Sequence, residues 1–360
     1  MKRVVNIYPK IESKTYDKYF TEDTFFLDIE TTGFQASYQI CYLIGCMFYK
    51  NNQYELVQYL AENEDDEPAM LEAFLNDIST YHTIITFNGD MFDLPFLKKR
   101  FEINHMVFHT ELFHSIDLFK IAKKCKRVLQ LPNYKQKTIE HFLRINREDQ
   151  YNGGELISIY KQYAALFDPG KEKLLLLHNA EDVHYMLYLL DITEYLHIKD
   201  CTIESLTFST TENDTEIYFE GNTDLNLPVS ISLSANPMFC KLEKNKIQGT
   251  LHKTEGTFLY FFENYKDYIF VETEKIILPK LLGSTIPKEM KRQAKKEECF
   301  VKKQGLFIPA IQSKKQESLY PGKRLFRAEY KSKDSYLLAD NDILNNQFLS
   351  SYIQNILSKL

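Results

Sequence analysis

Apolar positions along this chain follow two different patterns. From Thr24 to Glu30 the order Thr-Phe-Phe-Leu-Asp-Ile-Glu is an apolar run closed by two acids, which predicts a buried strand. Residues 39–49 and 53–61 predict two further strands joined by a polar turn at Lys50-Asn51-Asn52, and residues 67–79 predict a helix. Thr83-Ile84-Ile85-Thr86-Phe87, β-branched and aromatic, predicts another interior strand, broken by Asn88-Gly89. Apolar positions then recur at helical spacing from Phe92 to Phe101, with Pro95 near the start, where a helix tolerates one. Residues 115–118 predict a last strand, and residues 171–196 one long helix. Three consecutive strands followed by alternating helices and strands imply a mixed sheet flanked by helices.

Past residue 197 the pattern shortens. Residues 203–210, 215–220, 228–234, 246–252 and 257–262 predict short strands between Asn, Asp and Gly turns, and residues 342–360 an amphipathic helix. The expected division is an α/β domain over residues 1–199 and a smaller β-rich accessory domain over residues 200–360.

Composition narrows the class. At 360 residues and 44% hydrophobic content the chain has room for two cores. It contains no run of about 18 apolar residues, and its amino terminus lacks the charged-then-apolar form of a signal peptide, so no membrane association and a cytoplasmic location are expected. The six cysteines have no Cys-x-x-Cys spacing, which predicts buried free thiols rather than zinc ligands or a disulfide frame. Charge is uneven. Residues 280–333 hold fifteen Lys and Arg against five Asp and Glu, a net of +10 in a chain whose net charge is −6. Phe300, Phe307, Tyr320, Phe326 and Tyr330 interleave with these cations, the pattern of a surface that holds phosphates and stacks bases. An ordinary solvated face would look the same.

Three acidic clusters carry the chemistry. On a strand, Asp28 and Glu30 share a face while Ile29 takes the other, and adjacent carboxylates at the end of a hydrophobic strand call for a cation. Asp93 stands where a strand gives way to a helix. His178 and Asp182, four apart on a helix, address one point in space. Taken singly, these are a solvated strand end, a helix cap and a surface pair. Taken together, they supply four carboxylates and a base.

These residues resemble a known superfamily. Phe26-Leu27-Asp28-Ile29-Glu30-Thr31-Thr32-Gly33 is similar to the first motif of the DEDD 3′→5′ exonucleases of ribonuclease H-like fold, and Asn88-Gly89-x-x-Phe92-Asp93-x-Pro95-Phe96-Leu97 to the second. The second motif has the form found in proofreading domains of B-family DNA polymerases and in the bacterial YprB-type proteins. The YprB-type resemblance is the better one, supported by Asp117-Leu118, Leu131-Pro132-Asn133-Tyr134-Lys135, Arg147-Glu148-Asp149 and Gly153-Gly154-Glu155. It spans roughly residues 20–196 and implies that Asp28, Glu30, Asp93 and Asp182 hold two Mg²⁺ or Mn²⁺ ions and that His178 is the general base. One departure stands out. In the histidine branch of the superfamily the base precedes the last Asp by five positions and in the tyrosine branch by four, whereas here a histidine occupies the tyrosine spacing. His184, two positions beyond Asp182, is given no role, and Asp117 is read as a structural cap rather than a fifth acid.

The resulting expectation is a metal-dependent 3′→5′ exonuclease acting on DNA or RNA, with a single-stranded 3′ end as substrate. Thr31, Asn88 and Phe92 beside the acids, and Lys291, Arg292, Lys295 and Lys296 in the basic segment, are the expected substrate contacts, and Phe34 joins Phe92 as a candidate wedge for the terminal base. The alternatives are a structure-specific endonuclease of the same fold and a non-catalytic nucleic-acid-binding protein.

Overall fold

The structure, a computed structural model, describes residues 1–210, 215–311 and 319–360. The part of the basic segment at residues 312–318 therefore lies outside the described residues. These residues divide into two compact units, Met1–Leu196 and His197–Leu360.

The first unit contains β1 (Lys2–Pro9), α1 (Lys14–Tyr19), β2 (Thr24–Thr31), β3 (Cys41–Lys50), β4 (Gln53–Leu60), α2 (Glu67–Asp77), β5 (Thr83–Thr86), α3 (Asp93–Ile103) and β6 (His114–Asp117). Beyond these come α4 (Leu118–Lys124), α5 (Lys126–Leu129), α6 (Gln136–Phe142), α7 (Gly153–Leu166) and α8 (Pro169–Leu189). Its six strands form one mixed sheet in the order β1-β4-β3-β2-β5-β6, with β5 parallel to β2 and to β6 and the other pairs antiparallel. The β3–β4 turn places Asn51 and Asn52 at φ of 51° and 60°, a left-handed pair that Asn accepts more readily than most residues.

The central strands are buried because they are covered on both faces. On β3, every residue from Cys41 to Phe48 is buried. Glu67, buried at the start of α2, accepts hydrogen bonds from the Cys41 backbone N–H and from Arg100 on α3, and so ties two helices to the sheet. Removing one partner of such a buried pair costs about 3–5 kcal/mol. The strand β1 was not expected from the sequence. It is an edge strand whose residues are mostly exposed, so it shows no one-sided apolar period. The long helix expected over residues 171–196 ends at Leu189 and tightens into 3₁₀ turns from Leu190 to Asp200.

The second unit is built of three small sheets. β7 (Ile203–Thr210), β8 (Glu216–Ala235) and β9 (Met238–His252) form one, and β8 and β9 are longer than the separate short strands expected. The stretch over residues 221–227, read as the turn between the strands expected at 215–220 and 228–234, is instead absorbed by register shifts within a continuous strand. The others comprise β10 (Thr254–Phe261), β11 (Tyr268–Val271), β12 (Ile276–Pro279), β13 (Lys291–Gln293), β14 (Phe300–Pro309) and β15 (Tyr336–Leu338), in the orders β10-β14-β15 and β12-β11-β13. The carboxy-terminal helix α9 (Asn346–Leu357) buries Leu349, Tyr352, Ile353, Ile356 and Leu357. Three of the expected stacking aromatics are core residues instead: Phe307, Tyr320 and Phe326 are 0%, 4% and 5% exposed. Phe307, on β14, and Phe326, on the irregular segment that follows it, both pack on Phe258.

All six cysteines are buried, and none forms a disulfide. Among the described residues, no helix is long and apolar enough to cross a membrane.

Candidate active site

β2 delivers Asp28 and Glu30 to one face, as its period of two requires. Its partner β5 ends at Thr86, and the chain turns through Asn88 at φ 65° before α3 begins at Asp93. The Asn88 N–H donates to Asp117 Oδ1 at 2.9 Å, and the same oxygen caps α4 by accepting from the Phe119 N–H at 3.0 Å. Asp93 is buried, and its Oδ1 accepts from the Ile29 backbone N–H at 3.2 Å, which draws it against the acid-bearing end of β2.

The helix α8 closes the site from above the sheet. It can do so because β3 carries Gly45: a β-carbon there would stand 2.2 Å from Asn179 Oδ1 and 2.7 Å from Val183. At this close approach Asn179 donates to Asp28 Oδ2 at 2.9 Å and accepts from Gln58 at 2.9 Å. His178 and Asp182 follow on the same helical face. His178 Nε2 lies 3.0 Å from Asp182 Oδ2 and 3.3 Å from Glu30 Oε1, so Glu30, His178 and Asp182 offer ligand atoms within 4.8 Å of one another.

Two residues that the sequence had given no role complete the cluster. Asp149 Oδ2 meets His178 Nδ1 at 2.7 Å, and Arg147 bonds Asp182 at 2.5 Å while also bonding Glu140. Both stand on the connection between α6 and α7, a segment without periodicity. That connection is held by Glu181, the neighbour of Asp182, whose two carboxylate oxygens accept from the Glu148 and Asp149 backbone N–H groups, each at 2.9 Å. In the sequence this stretch stood out only as one of the segments that support the resemblance, with no role for its individual residues.

Electrostatics divide the acids into two sets. Burial, then the charges of Asp182, Asp93 and Glu30, hold the Asp28 carboxyl well above the usual carboxylate range. Burial, then Asp182 and Asp93, do the same to Glu30. Asp93 is pushed up to about 7, chiefly by burial, against the hydrogen bonds it accepts from backbone. Asp182 goes the other way: burial pushes it up, but the His178 hydrogen bond and the Arg147 charge prevail and hold it low. On His178, burial is outweighed by Asp182 and Asp149, and the imidazole is held above its ordinary value. The side chains of Glu30 and Asp182 keep 12% and 16% of their surface accessible, so the cluster is not sealed from solvent. Glu30 and Asp182, two carboxylates that converge on one point within reach of the charges of Asp28 and Asp93, are a hard-oxygen donor set of the kind that fits Mg²⁺ or Mn²⁺.

The remaining expected residues are placed as follows. The Thr31 hydroxyl donates to the Gly33 carbonyl at 2.8 Å. Phe34 is 88% exposed and meets Phe92 edge-on at 6.0 Å. His184 stacks on Tyr8 of β1 at 4.2 Å. In the second unit, Lys291 donates to the Gly283 carbonyl, and Arg292 lies between Glu272 and Glu298, each 2.6 Å away. Lys295 and Lys296 are exposed, and the Lys296 ammonium stands over the Tyr265 ring.

A protein-family model described as the RNase_H superfamily matches residues 25–193. The fold of the first unit is ribonuclease H-like, with the smaller β-rich sheets following it. Among solved structures, the chain is similar to the family B DNA polymerase from the hyperthermophilic archaeon Pyrobaculum calidifontis, with 15% identity and a TM-score of 0.38 over 49% of this chain and 24% of that one. It is also similar to a structure titled as the apo form of a nuclease, with 14% identity and a TM-score of 0.33 over 53% of this chain and 79% of that one. The chain thus spans about a quarter of the polymerase. No curated protein matches it in sequence.

Proposed function

We propose that the first unit is a metal-dependent nuclease that removes nucleotides from the 3′ end of a single-stranded nucleic acid. The observation that carries this reading is the convergence of Glu30, His178 and Asp182, with Asp28 and Asp93 coupled to them by charge, on one partly open point of a ribonuclease H-like sheet. Hydrolysis of a phosphodiester needs a deprotonated water, an offset to the negative phosphate oxygens, and stabilisation of the departing alkoxide. Two divalent cations held by Asp28, Glu30, Asp93 and Asp182 would supply charge neutralisation and a more acidic water.

The chain's own residues do the rest. Asp149 keeps the hydrogen on His178 Nδ1, so that Nε2 is the nitrogen facing the acids. In the metal-free site Asp182 and Asp149 favour the protonated imidazole. Neutralising Asp182 with a bound cation would weaken that preference and leave Nε2 better able to accept a proton from water. Asn179 orients Asp28, and Arg147 orients Asp182. Phe34, exposed and resting on Phe92, is suited to pry the terminal base from its neighbour. The 3′→5′ direction follows from the resemblance of the motifs around Asp28 and Asp93 to those of the DEDD exonucleases.

The test is incubation of the protein with end-labelled single-stranded DNA, duplex DNA and RNA in Mn²⁺. A ladder shrinking from the 3′ end supports the reading. Internal cuts would make the protein an endonuclease, and retention without cleavage would make it a binding module.

A further inference from the structure

The second unit contains a cleft of about 870 Å³ whose walls are aromatic and whose charge is strongly positive. Four cations line it, Lys296, Lys323, Arg324 and Arg327, against one carboxylate, Glu263. Its walls are fixed by backbone pairing. The Leu259 and Arg327 main chains exchange two hydrogen bonds of 2.8 Å, which lays residues 322–327 along β10, and the Phe262 N–H donates to the Cys299 carbonyl at 2.8 Å, which brings the start of β14 alongside.

Three of the four cations are left without a carboxylate among the described residues, and one of these, Arg327, donates to the Tyr330 carbonyl at 3.4 Å. Arg324 lies over the Tyr260 ring at 5.4 Å and Lys296 over the Tyr265 ring at 5.3 Å, and neither has an acidic partner among the described residues. Arg292, a few positions away, is spent on Glu272 and Glu298. The Lys323 ammonium bonds the Asp342 carbonyl at 3.1 Å and has that residue's carboxylate only at 3.8 Å. Tyr330 lines the same cleft and packs edge-on against Phe261 at 5.2 Å. Three half-buried rings, two of them with a cation over one face, lining one cleft combine the aromatic surface and the positive charge that single-strand binding requires.

We infer that this cleft binds a short single-stranded nucleic-acid segment, its phosphates on Lys296, Lys323 and Arg324 and its bases stacked on Tyr260, Tyr265 and Tyr330. A duplex hides its base faces and cannot use the rings. Binding here is independent of hydrolysis by the first unit, and is therefore read without metal.

Full-length protein in EDTA is titrated with a fluorescein-labelled single-stranded oligonucleotide across a salt series. The double reversal Lys296→Glu, Arg324→Glu should weaken binding at least about tenfold and flatten the plot of log affinity against log salt by one to two phosphates, each worth roughly 0.7 in slope. Tyr265→Ala should weaken binding several-fold and leave the slope unchanged, because stacking releases no counterions. Lys288→Glu, an exposed lysine outside the cleft, measures the effect of reversing any surface charge. If melting shows the double variant to be unfolded, Arg324→Gln replaces it, with a smaller change in the same direction. A double variant whose affinity and slope match Lys288→Glu overturns the inference. So does full binding by Tyr265→Ala with equal competition by heparin, since the cleft would then be a general polyanion surface.

Discussion

The Asp149 carboxylate meets His178 Nδ1 at 2.7 Å while the opposite nitrogen of the same ring faces Asp182 and Glu30. This relationship makes Asp149 a positioning residue for the proposed base. Asp149→Asn keeps the shape, but an amide can offer its NH₂ to Nδ1 and so favour the tautomer with the hydrogen on Nε2. The expected cost is roughly 10–10²-fold in kcat with little change in KM. His178→Ala should lose on the order of 10²–10⁴-fold, and adding Asp149→Asn to it should cost nothing more, because both changes disable one device. Losses that multiply in the double variant would show that Asp149 acts apart from His178.

Asp28 and Asp93 are held by Asn179 and by the Ile29 backbone N–H, bonds that an Asn side chain at either position can still accept through its carbonyl oxygen. Asp28→Asn and Asp93→Asn should therefore fold normally while losing most cleavage. The metal charge that they would anchor is worth several kcal/mol, or roughly 10²–10⁴-fold in rate. EDTA should abolish activity in the wild type, and Mg²⁺ or Mn²⁺ should restore it. Undiminished cleavage by Asp28→Asn would remove the metal reading.

Legibility in the sequence followed the range of the forces involved. β2, β5 and α3 were visible because covering both faces of a strand leaves a continuous apolar run, and because Asn88-Gly89 marks the break between strand and helix. β1 was not, since an edge strand with Val5 and Ile7 exposed needs no period. In the second unit, Gly, Asn and Asp over residues 221–226 suggested a turn, but strand pairing on both sides carried the chain through it as an irregularity. At the candidate site, Asp28 and Glu30 share a strand and His178 and Asp182 share a helix, so spacing alone grouped them. Asp149 reaches His178 only because Glu181 clamps its loop, a tertiary relation with no period to reveal it. For the same reason, alternation could not say which aromatics of the basic segment face inward.

Gly45 marks where α8 and β3 touch, and its substitution should separate packing from chemistry. In Gly45→Ala the new methyl group would collide with Asn179 and Val183, and α8 would have to retreat. Overpacking of this kind costs about 1–3 kcal/mol, or several degrees in Tm. The retreat should also loosen the Asn179 bond to Asp28 and lower metal affinity. Gly153→Ala, where an added β-carbon meets nothing within 4 Å, is the control and should leave both unchanged. A Gly45→Ala protein with the wild-type Tm would mean that the helix yields without consequence.

The raised carboxyls also set how the metal-free protein responds to pH. Asp28, Glu30 and Asp93 titrate higher in the folded chain than their ordinary values near 4, Asp93 at about 7. Between those limits the folded state binds more protons than the unfolded one. Their contribution to stability is thus complete below about pH 4 and is lost as pH rises through the folded values. His178, also raised, acts in the same sense at higher pH. Asp182 and Asp149 are lowered, so theirs is present above about pH 4 and is lost only in more acid solution, outside this window. In EDTA, Tm should accordingly fall from pH 5 to pH 8 more steeply for the wild type than for Asp93→Asn, in which one repelling charge is gone. The difference should reach at most a few kcal/mol. Saturating Mg²⁺ should remove most of the wild-type decline, because bound cations take over the neutralisation that protons supply, and calorimetry in buffers of different ionisation enthalpy should record protons released on binding. Parallel curves for the two proteins in EDTA, or Mg²⁺ binding without proton release, would show that these carboxylates are not under the mutual repulsion that makes the cluster a metal site.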